Sequence, residues 1–82
     1  MPMPWYAYLL RCGDGTLYAG ATNDVEVRFK AHEEGRGAKY TRGRGPLTLV
    51  WKKKTAGRSA ALRLEARIKR MTRQAKLDLL KG

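Results

Sequence analysis

The stretch that decides the fold is residues 5–20, WYAYLLRCGDGTLYAG. Its first half is rich in aromatic and aliphatic residues, which predicts a β-strand over residues 5–12. The Gly-Asp-Gly loop at residues 13–15 contains residues that tolerate positive φ angles, and a return strand is predicted over residues 16–21. The segment therefore predicts a β-hairpin that carries one tyrosine in each strand.

The length of the hairpin loop decides where the two tyrosines point. A two-residue turn would leave Tyr8 and Tyr18 on opposite faces of the sheet, since successive side chains alternate along a strand. A three-residue loop, with Cys12 opposite Thr16, would pair Tyr8 with Gly20 and bring both rings to one face. We predict the three-residue loop, with one of its glycines in the left-handed region.

The size of the chain limits the fold to one unit. Eighty-two residues can bury one modest core, so a single domain is predicted over residues 1–82, with residues 1–4 as a loose N-terminal extension. The single cysteine and single histidine exclude a disulfide framework or a Cys/His zinc site within one chain. Because no secretory signal and no apolar run of about 20 residues is present, we expect a cytoplasmic protein that does not enter the membrane.

The charge of the chain indicates its partner. Its 18 Lys and Arg against 7 Asp and Glu give a formal net charge of +11. Such an excess repels itself in a folded domain and is typical of proteins that bind a polyanion. Nucleic acid, DNA in the first place, is the expected partner, and a solvated basic surface or attraction to anionic lipid is the alternative.

The first helix is predicted over residues 24–34. Asn23 is a suitable N-cap, and Glu26 stands three residues later, where a capping box places its carboxylate. The glycine that follows the helix is expected to stop it. Arg28 and His32 are four residues apart and so share one face of this helix.

A third strand and two further helices are predicted downstream. Residues 47–51 favour a strand, which runs into three lysines, residues 52–54, suited to a solvated edge. The apolar period predicts a helix over residues 58–70, and Thr72 is a candidate cap for a last helix over residues 73–80. The chain is thus predicted to contain three strands and about three helices.

Residues 35–46, GRGAKYTRGRGP, combine four glycines with four basic residues and one tyrosine. This composition predicts a mobile cationic loop that takes no part in the core. We interpret it as a nucleic-acid contact rather than a solvated connector, because a tyrosine can stack on a base between phosphate-binding charges. The predicted contact residues are Arg36, Lys39, Tyr40, Arg42 and Arg44.

Glu65 is the one acidic residue between Glu34 and Asp78, a stretch that contains fourteen basic residues. It falls at the margin of the apolar stripe of its helix, where a carboxylate needs a partner. One interpretation is a salt bridge, with Arg28 or with a neighbouring lysine or arginine. The other is a ligand for Mg²⁺ or Mn²⁺, hard cations that need few protein carboxylates when phosphate and water complete their shell.

Taken together, these residues resemble the GIY-YIG nucleases, and in particular their small stand-alone bacterial branch. The resemblance covers almost the whole chain, and no half-motif alone is as specific as their order and spacing. Its parts are the half-motifs AYL (residues 7–9) and YAG (residues 18–20), Arg28-x-x-x-His32, Glu65 within RLEARIK, and residues 37–50.

The resemblance implies a fold of the α/β class, α+β type, with a three-stranded antiparallel sheet flanked by about three helices. It also implies that the domain cuts one phosphodiester bond of DNA with one divalent metal ion. Glu65 would be the single protein ligand of Mg²⁺ or Mn²⁺, and Arg28 would hold the scissile phosphate. Tyr8 is the expected base toward the attacking water, with Tyr18 positioning water and phosphate and His32 relaying the proton. A free tyrosine titrates near pH 10, so this role requires neighbouring cations.

The sequence also departs from the family pattern. The literal motif is not spelled out, because alanine and leucine flank Tyr8 and alanine fills the middle of the second half-motif. No asparagine follows Asn23, so the asparagine that several family nucleases carry late in the domain is missing. Without a separate DNA-binding domain, we expect structure-selective or nonspecific recognition.

Two other functions are compatible with the charge and size of the chain. One is a noncatalytic nucleic-acid-binding module or accessory subunit of a repair or RNA-processing complex, and the other is a basic protein–protein adaptor. The presence of Tyr8, Tyr18, Arg28, His32 and Glu65 together favours a DNA endonuclease over both.

Overall fold

A computed structural model of the chain describes residues 4–37 and 41–81. Three strands form one antiparallel sheet in the order β2-β1-β3, namely β1 (Trp5–Arg11), β2 (Leu17–Thr22) and β3 (Thr48–Thr55). The hairpin predicted from the sequence thus supplies the central strand and one edge. β3 returns along the other side of β1.

Three helices complete the fold, in the α+β arrangement predicted from the sequence. α1 (Val25–Glu33) connects β2 to β3, and α2 (Arg58–Arg70) and α3 (Arg73–Leu79) follow β3. The hydroxyl of Thr72 accepts the backbone N–H of Ala75 at 3.1 Å, which confirms this residue as the cap of α3. Within residues 4–37 and 41–81, no helix has the length and hydropathy needed to cross a bilayer.

The central strand β1 is buried on both of its faces. Ala7 and Leu9 pack with Ile68 of α2, and we call this side of the sheet the α2 face. Tyr8 and Leu10 point to the other side, where Phe29 of α1 packs against them, and we call that side the α1 face. The sheet is therefore sandwiched between α1 and the pair α2 and α3.

The start of α1 differs from the prediction. Asp24, not Asn23, is the N-cap, since its carboxylate accepts the backbone N–H of Val27 at 3.1 Å. The backbone N–H of Asp24 is itself bound by the hydroxyl of Thr22 at 3.1 Å. The capping box predicted with Glu26 is therefore wrong, because with Asp24 as the N-cap the third helical position is Val27, and Glu26 is one residue too early.

The third strand is longer than predicted and includes the lysine run. It was predicted to end at residue 51 but continues to Thr55. The reason is that β1 provides pairing partners as far as Trp5. The carbonyl of Trp5 also accepts the Thr55 hydroxyl at 3.0 Å. The pairing shifts between Leu9 and Leu10, so that Val50 and Trp51 both pack on the α2 face. This irregularity places Lys52 opposite Tyr8 on the α1 face.

Candidate active site

The register of the hairpin brings the two tyrosines to one face of the sheet. The backbone N–H of Cys12 donates to the carbonyl of Thr16 at 2.8 Å, closing a three-residue loop in which Gly15 has a φ of 87°. Both the loop length and the left-handed glycine were predicted. As a result, Tyr8 and Tyr18 both contact the side chain of one residue, His32.

Gly20 makes room for the ring of Tyr8. The two residues are paired across the strands, and a Cβ atom at residue 20 would collide with the phenol end of Tyr8. Tyr8 is only 2% exposed, so the ring has no room to move aside. The glycine of the second half-motif is therefore required by close packing rather than by a positive φ angle.

We expect Gly20→Ser to lower the free energy of unfolding by about 1–3 kcal/mol, the usual range for overpacking a core. The matched control is Gly57→Ser, because a side chain added there meets no atom within 4 Å and serine is a preferred N-cap for α2. Urea denaturation of both variants measures the difference. Equal stability of the two variants would contradict the packing described for Tyr8.

His32 lies at the centre of a buried hydrogen-bonded chain. Its Nε2 atom lies 2.9 Å from the hydroxyl of Tyr8, and its Nδ1 atom lies 2.9 Å from the hydroxyl of Thr41. The ring of Tyr18 meets it edge-on, with 5.4 Å between ring centroids. His32 is 1% exposed, and Gly37 packs so closely against its ring that a Cβ atom would not fit.

Thr41 is a site residue that was not predicted from the sequence. It is 2% exposed and binds His32, although residues 35–46 were predicted to take no part in the core. That prediction is wrong at Thr41, because the second ring nitrogen of a buried histidine requires a polar partner. The available signal was the combination of a histidine in the core and a hydroxyl residue in the following loop.

The imidazole of His32 is held in its neutral form. Burial lowers its pKa, and the positive charge of Arg28 one turn earlier on α1 lowers it further. Both effects act against protonation. Neutral His32 can therefore accept a hydrogen bond from the hydroxyl of Tyr8 at neutral pH.

The lowered pKa of His32 predicts that the protein loses stability as the pH falls from 7 to 5. In this range the unfolded chain binds a proton at histidine and the folded chain resists it, so stability rises with pH. Because a single proton is involved, the slope has an upper limit of about 1.4 kcal/mol per pH unit. Denaturant unfolding of wild type and His32→Gln isolates the effect, because the chain has one histidine; parallel pH profiles would contradict it.

The hydroxyl of Tyr8 is protonated in the folded protein. Burial raises the pKa of Tyr8 to about 12, and the charges of Tyr18 and Glu65 act in the same direction. Arg28 is the group that opposes this shift and lowers the pKa. Tyr8 thus keeps its proton at neutral pH and can release it only to a partner such as His32.

Arg28 lies at the solvent side of the site. It is exposed on α1, and its charge acts on both Tyr8 and His32. The predicted spacing of Arg28 and His32 on one helix face therefore places a cation beside the buried chain. A guanidinium in this position can bind the two oxygens of a phosphate group.

Glu65 borders the site from α2. Its side chain is 18% exposed, and its carboxylate forms an ion pair with Lys69 Nζ at 3.3 Å. Lys69 Nζ also lies 5.8 Å from the centre of the Tyr18 ring. Because β2 is an edge strand, side chains of α2 reach the tyrosine side of the sheet around it. The salt bridge considered for Glu65 thus exists with Lys69.

The donors at Glu65 fit a hard cation that is shared with a substrate. Within residues 4–37 and 41–81, no group of three or more His, Cys, Asp and Glu side chains could hold a metal ion. One half-buried carboxylate, already paired with a cationic side chain, suits Mg²⁺ or Mn²⁺ when phosphate and water supply the other oxygens. The residues present do not fit an ion that is held by protein ligands alone.

Two of the predicted nucleic-acid contacts in residues 35–46 are paired within the protein. Arg36 binds Glu34, and Arg44 Nη1 donates to Asp14 in the hairpin loop at 2.6 Å. Arg42 donates to the carbonyl of Gly35 at 3.3 Å. Lys39 and Tyr40 lie outside the described residues. Arg36 and Arg44 thus have carboxylate partners within the chain, whereas the contact of Arg42 is to a backbone carbonyl.

Comparison with known proteins gives the same family as the sequence resemblance. The sequence profile described as the GIY-YIG catalytic domain matches residues 4–78. A UPF0213 protein of Vibrio cholerae is 52% identical over 100% of this chain and 82% of its own length. A UPF0213 protein of Streptococcus sanguinis is 51% identical over 93% of this chain and 87% of its own length.

Two solved structures share the fold. The solution structure of a UPF0213 protein from Bacillus halodurans has a TM-score of 0.61 and 44% identity, covering 96% of this chain and 84% of that one. A protein from E. faecalis, also solved by NMR, has a TM-score of 0.66 and 39% identity, covering 98% of this chain and 85% of its own. Both matches extend across the sheet and the helices that carry the site.

Proposed function

This chain belongs to the GIY-YIG family of catalytic domains, and on that premise we propose that it is a metal-dependent endonuclease that hydrolyses phosphodiester bonds in DNA. The observation that carries the proposal is the buried chain from Tyr8 through His32 to Thr41, with 2.9 Å at each link. Buried polar chains are costly unless every member is satisfied, and a binding surface does not require one. A proton relay, by contrast, requires a chain of hydrogen-bonded groups of this kind.

In this proposal Arg28 binds the scissile phosphate. It is exposed and its charge acts on Tyr8, so we place the bound phosphate beside the hydroxyl of Tyr8. Its charge also offsets the negative charge that grows on the phosphate oxygens during attack. Tyr18, on the same face as Tyr8, positions the attacking water and the phosphate.

Tyr8 and His32 move the proton of the attacking water. Because burial raises the pKa of Tyr8 to about 12, an isolated phenolate is unfavourable. The relay avoids this state, since Tyr8 can take a proton from water while its own proton passes to Nε2 of His32. The transferred proton stays on Nε2, while the N–H at Nδ1 of His32 donates a hydrogen bond to the Thr41 hydroxyl, which fixes the ring orientation.

Glu65 is the residue that would hold the divalent ion. Its partner Lys69 lies 5.8 Å from the centre of the Tyr18 ring, so an ion bound to Glu65 would face the tyrosine pair. When bound, Mg²⁺ or Mn²⁺ supplies Lewis-acid polarisation of the phosphodiester. Lys69, the present partner of Glu65, would then be released toward the substrate.

The test is a cleavage assay on single-stranded, duplex and branched DNA with Mg²⁺, Mn²⁺ or EDTA. Cutting that requires the metal and stops in EDTA supports the proposal. Binding of the same DNA without cutting under any condition would overturn it in favour of a noncatalytic nucleic-acid-binding module. Comparing the three forms of DNA also separates structure-selective from nonspecific recognition.

A further inference from the structure

The α1 face continues past Tyr8 as an exposed basic surface. In the pairing of β1 with β3, Lys52 lies opposite Tyr8 and Lys54 lies opposite Tyr6. Directly opposed residues of antiparallel strands point to the same face. Both lysines are exposed and Tyr6 is half-buried, so this surface begins where the buried part of the site ends. We call these three residues the Tyr6–Lys52–Lys54 surface.

The charges of this surface are not neutralised by the protein. In the described part of the chain, no ion pair holds Lys52 or Lys54. Neither β1 nor β3 contains a carboxylate, so the surrounding strands supply no counter-charge. Arg36 and Arg44, by contrast, are bound to carboxylates of the same chain. An anionic partner would meet less competition at the lysines than at these arginines.

Tyr6 holds one of the two charges in place. Lys52 Nζ lies 5.6 Å from the centre of the Tyr6 ring, within the range of a cation–π contact. The ring keeps the ammonium group over the α1 face instead of leaving it to move freely in solvent. Its half-exposed side also offers an area on which a nucleobase can stack.

We propose that the Tyr6–Lys52–Lys54 surface binds the phosphodiester backbone of the nucleic acid on one side of the bond held at Arg28. Two residues along a strand separate the lysines by about 6.8 Å, which suits consecutive phosphates of one extended strand. This assignment rests on the proposed function, because it takes the site at Tyr8 as the position of the scissile phosphate. It moves the main backbone contact from residues 35–46 to the edge strand β3.

A membrane with anionic lipids presents similar phosphate groups but fits this surface less well. Interfacial membrane binding combines basic residues with a continuous set of apolar side chains that enter the lipid. On this surface the one apolar group is the ring of Tyr6, and it is already half-buried under Lys52. The surface is also continuous with the tyrosine pair, which a polynucleotide can span.

The test compares three substitutions on one strand. Lys52→Gln and Lys54→Gln remove charges from the surface, and Lys53→Gln is the matched control, because Lys53 is opposite Ala7 and points to the other face. Binding of labelled DNA is measured in EDTA over a range of salt concentrations, so that cleavage plays no part. Each test variant should bind about three- to tenfold more weakly, and its log–log salt slope should fall by about 0.7–0.9. Lys53→Gln should match wild type.

Three results would overturn the assignment. They are equal weakening by all three substitutions, no weakening by any, and a loss of binding to anionic vesicles without a loss of binding to DNA. Thermal unfolding of each variant excludes misfolding, which is not expected for exposed lysines. Binding is measured without metal, so the two proposals can fail separately. If the protein never cuts DNA but Lys52→Gln and Lys54→Gln bind more weakly than Lys53→Gln, the proposed endonuclease activity is refuted and the assignment of this surface stands.

Discussion

Tyr8→Phe is expected to lower the rate of DNA cleavage by about 10²–10⁴-fold, the range in which general acid–base groups contribute. The substitution removes the hydroxyl that binds His32 Nε2 at 2.9 Å and leaves the ring above Gly20 in place. The attacking water then has no route for its proton to His32. Single-turnover cleavage at saturating protein measures this step without a contribution from DNA affinity.

Tyr6→Phe is the matched control for this experiment. It makes the same chemical change on the same strand and the same face, two residues away, and the ring that contacts Lys52 is retained. Its cleavage rate should remain within about threefold of wild type, since no general acid–base group is lost. If Tyr8→Phe cuts DNA as fast as Tyr6→Phe, the hydroxyl of Tyr8 takes no part in the mechanism.

Folding of Tyr8→Phe is expected to be somewhat weaker. The substitution leaves a buried ring nitrogen of His32 without its partner, which costs about 1–3 kcal/mol. The cleavage assay is therefore run well below the midpoint of thermal unfolding for both variants. A loss of rate at full folding is then due to the missing hydroxyl.

The parts of this structure that could be predicted from the sequence are those set by local geometry. Loop length and strand alternation predicted that Tyr8 and Tyr18 lie on the same face of the sheet, because a register shift of one residue moves every side chain of a strand to the opposite face. The apolar period gave α2 its observed bounds, Arg58–Arg70. The four-residue spacing brought Arg28 and His32 to one face of α1 in the same way.

The parts that could not be predicted depend on contacts between distant segments. The end of β3 is determined by the length of β1, and the strand's own residues, three successive lysines, gave no sign of it. Thr41 reaches His32 from a loop without any periodic pattern. Asn23 and Asp24 are both good caps, and the choice between them follows from a hydrogen bond with Thr22.

Composition also left open which positive charges are paired. Residues 35–46 and the lysine run of β3 are both basic. The nucleic-acid contact was predicted in residues 35–46. The structure pairs Arg36 with Glu34 and Arg44 with Asp14. The hydrogen bond from Arg36 lowers the pKa of Glu34, whereas the pKa of Asp14 is lowered mainly by hydrogen bonds from Thr16 and less by Arg44. Such pairing weakens the attraction of these arginines for phosphate, because the neighbouring carboxylate cancels part of their positive electrostatic potential.

Glu65→Gln is the second substitution with a large expected effect. Glutamine keeps the size of the side chain but removes the negative charge that a hard cation requires. Cleavage should fall by about 10²–10³-fold or more, as on removal of one group that stabilises transition-state charge. The partner Lys69 is about half exposed, so loss of this ion pair should change stability by less than about 1 kcal/mol. Binding and cleavage are measured separately, in EDTA and in Mg²⁺ or Mn²⁺.

Asp78→Asn provides the matched control, since it also converts a carboxylate with a lysine partner, Lys81, to an amide, on an exposed part of α3. Both substitutions raise the net charge by one, so both should keep or slightly strengthen DNA binding in EDTA. Only Glu65→Gln should lose metal-dependent cutting, and a higher Mn²⁺ concentration should restore cutting poorly because the ligand itself is gone. If Glu65→Gln instead cuts like Asp78→Asn, the pair with Lys69 is structural and the metal is bound elsewhere. A selective loss of cleavage with intact binding would show that the carboxylate serves the chemistry and that affinity comes from the basic surfaces.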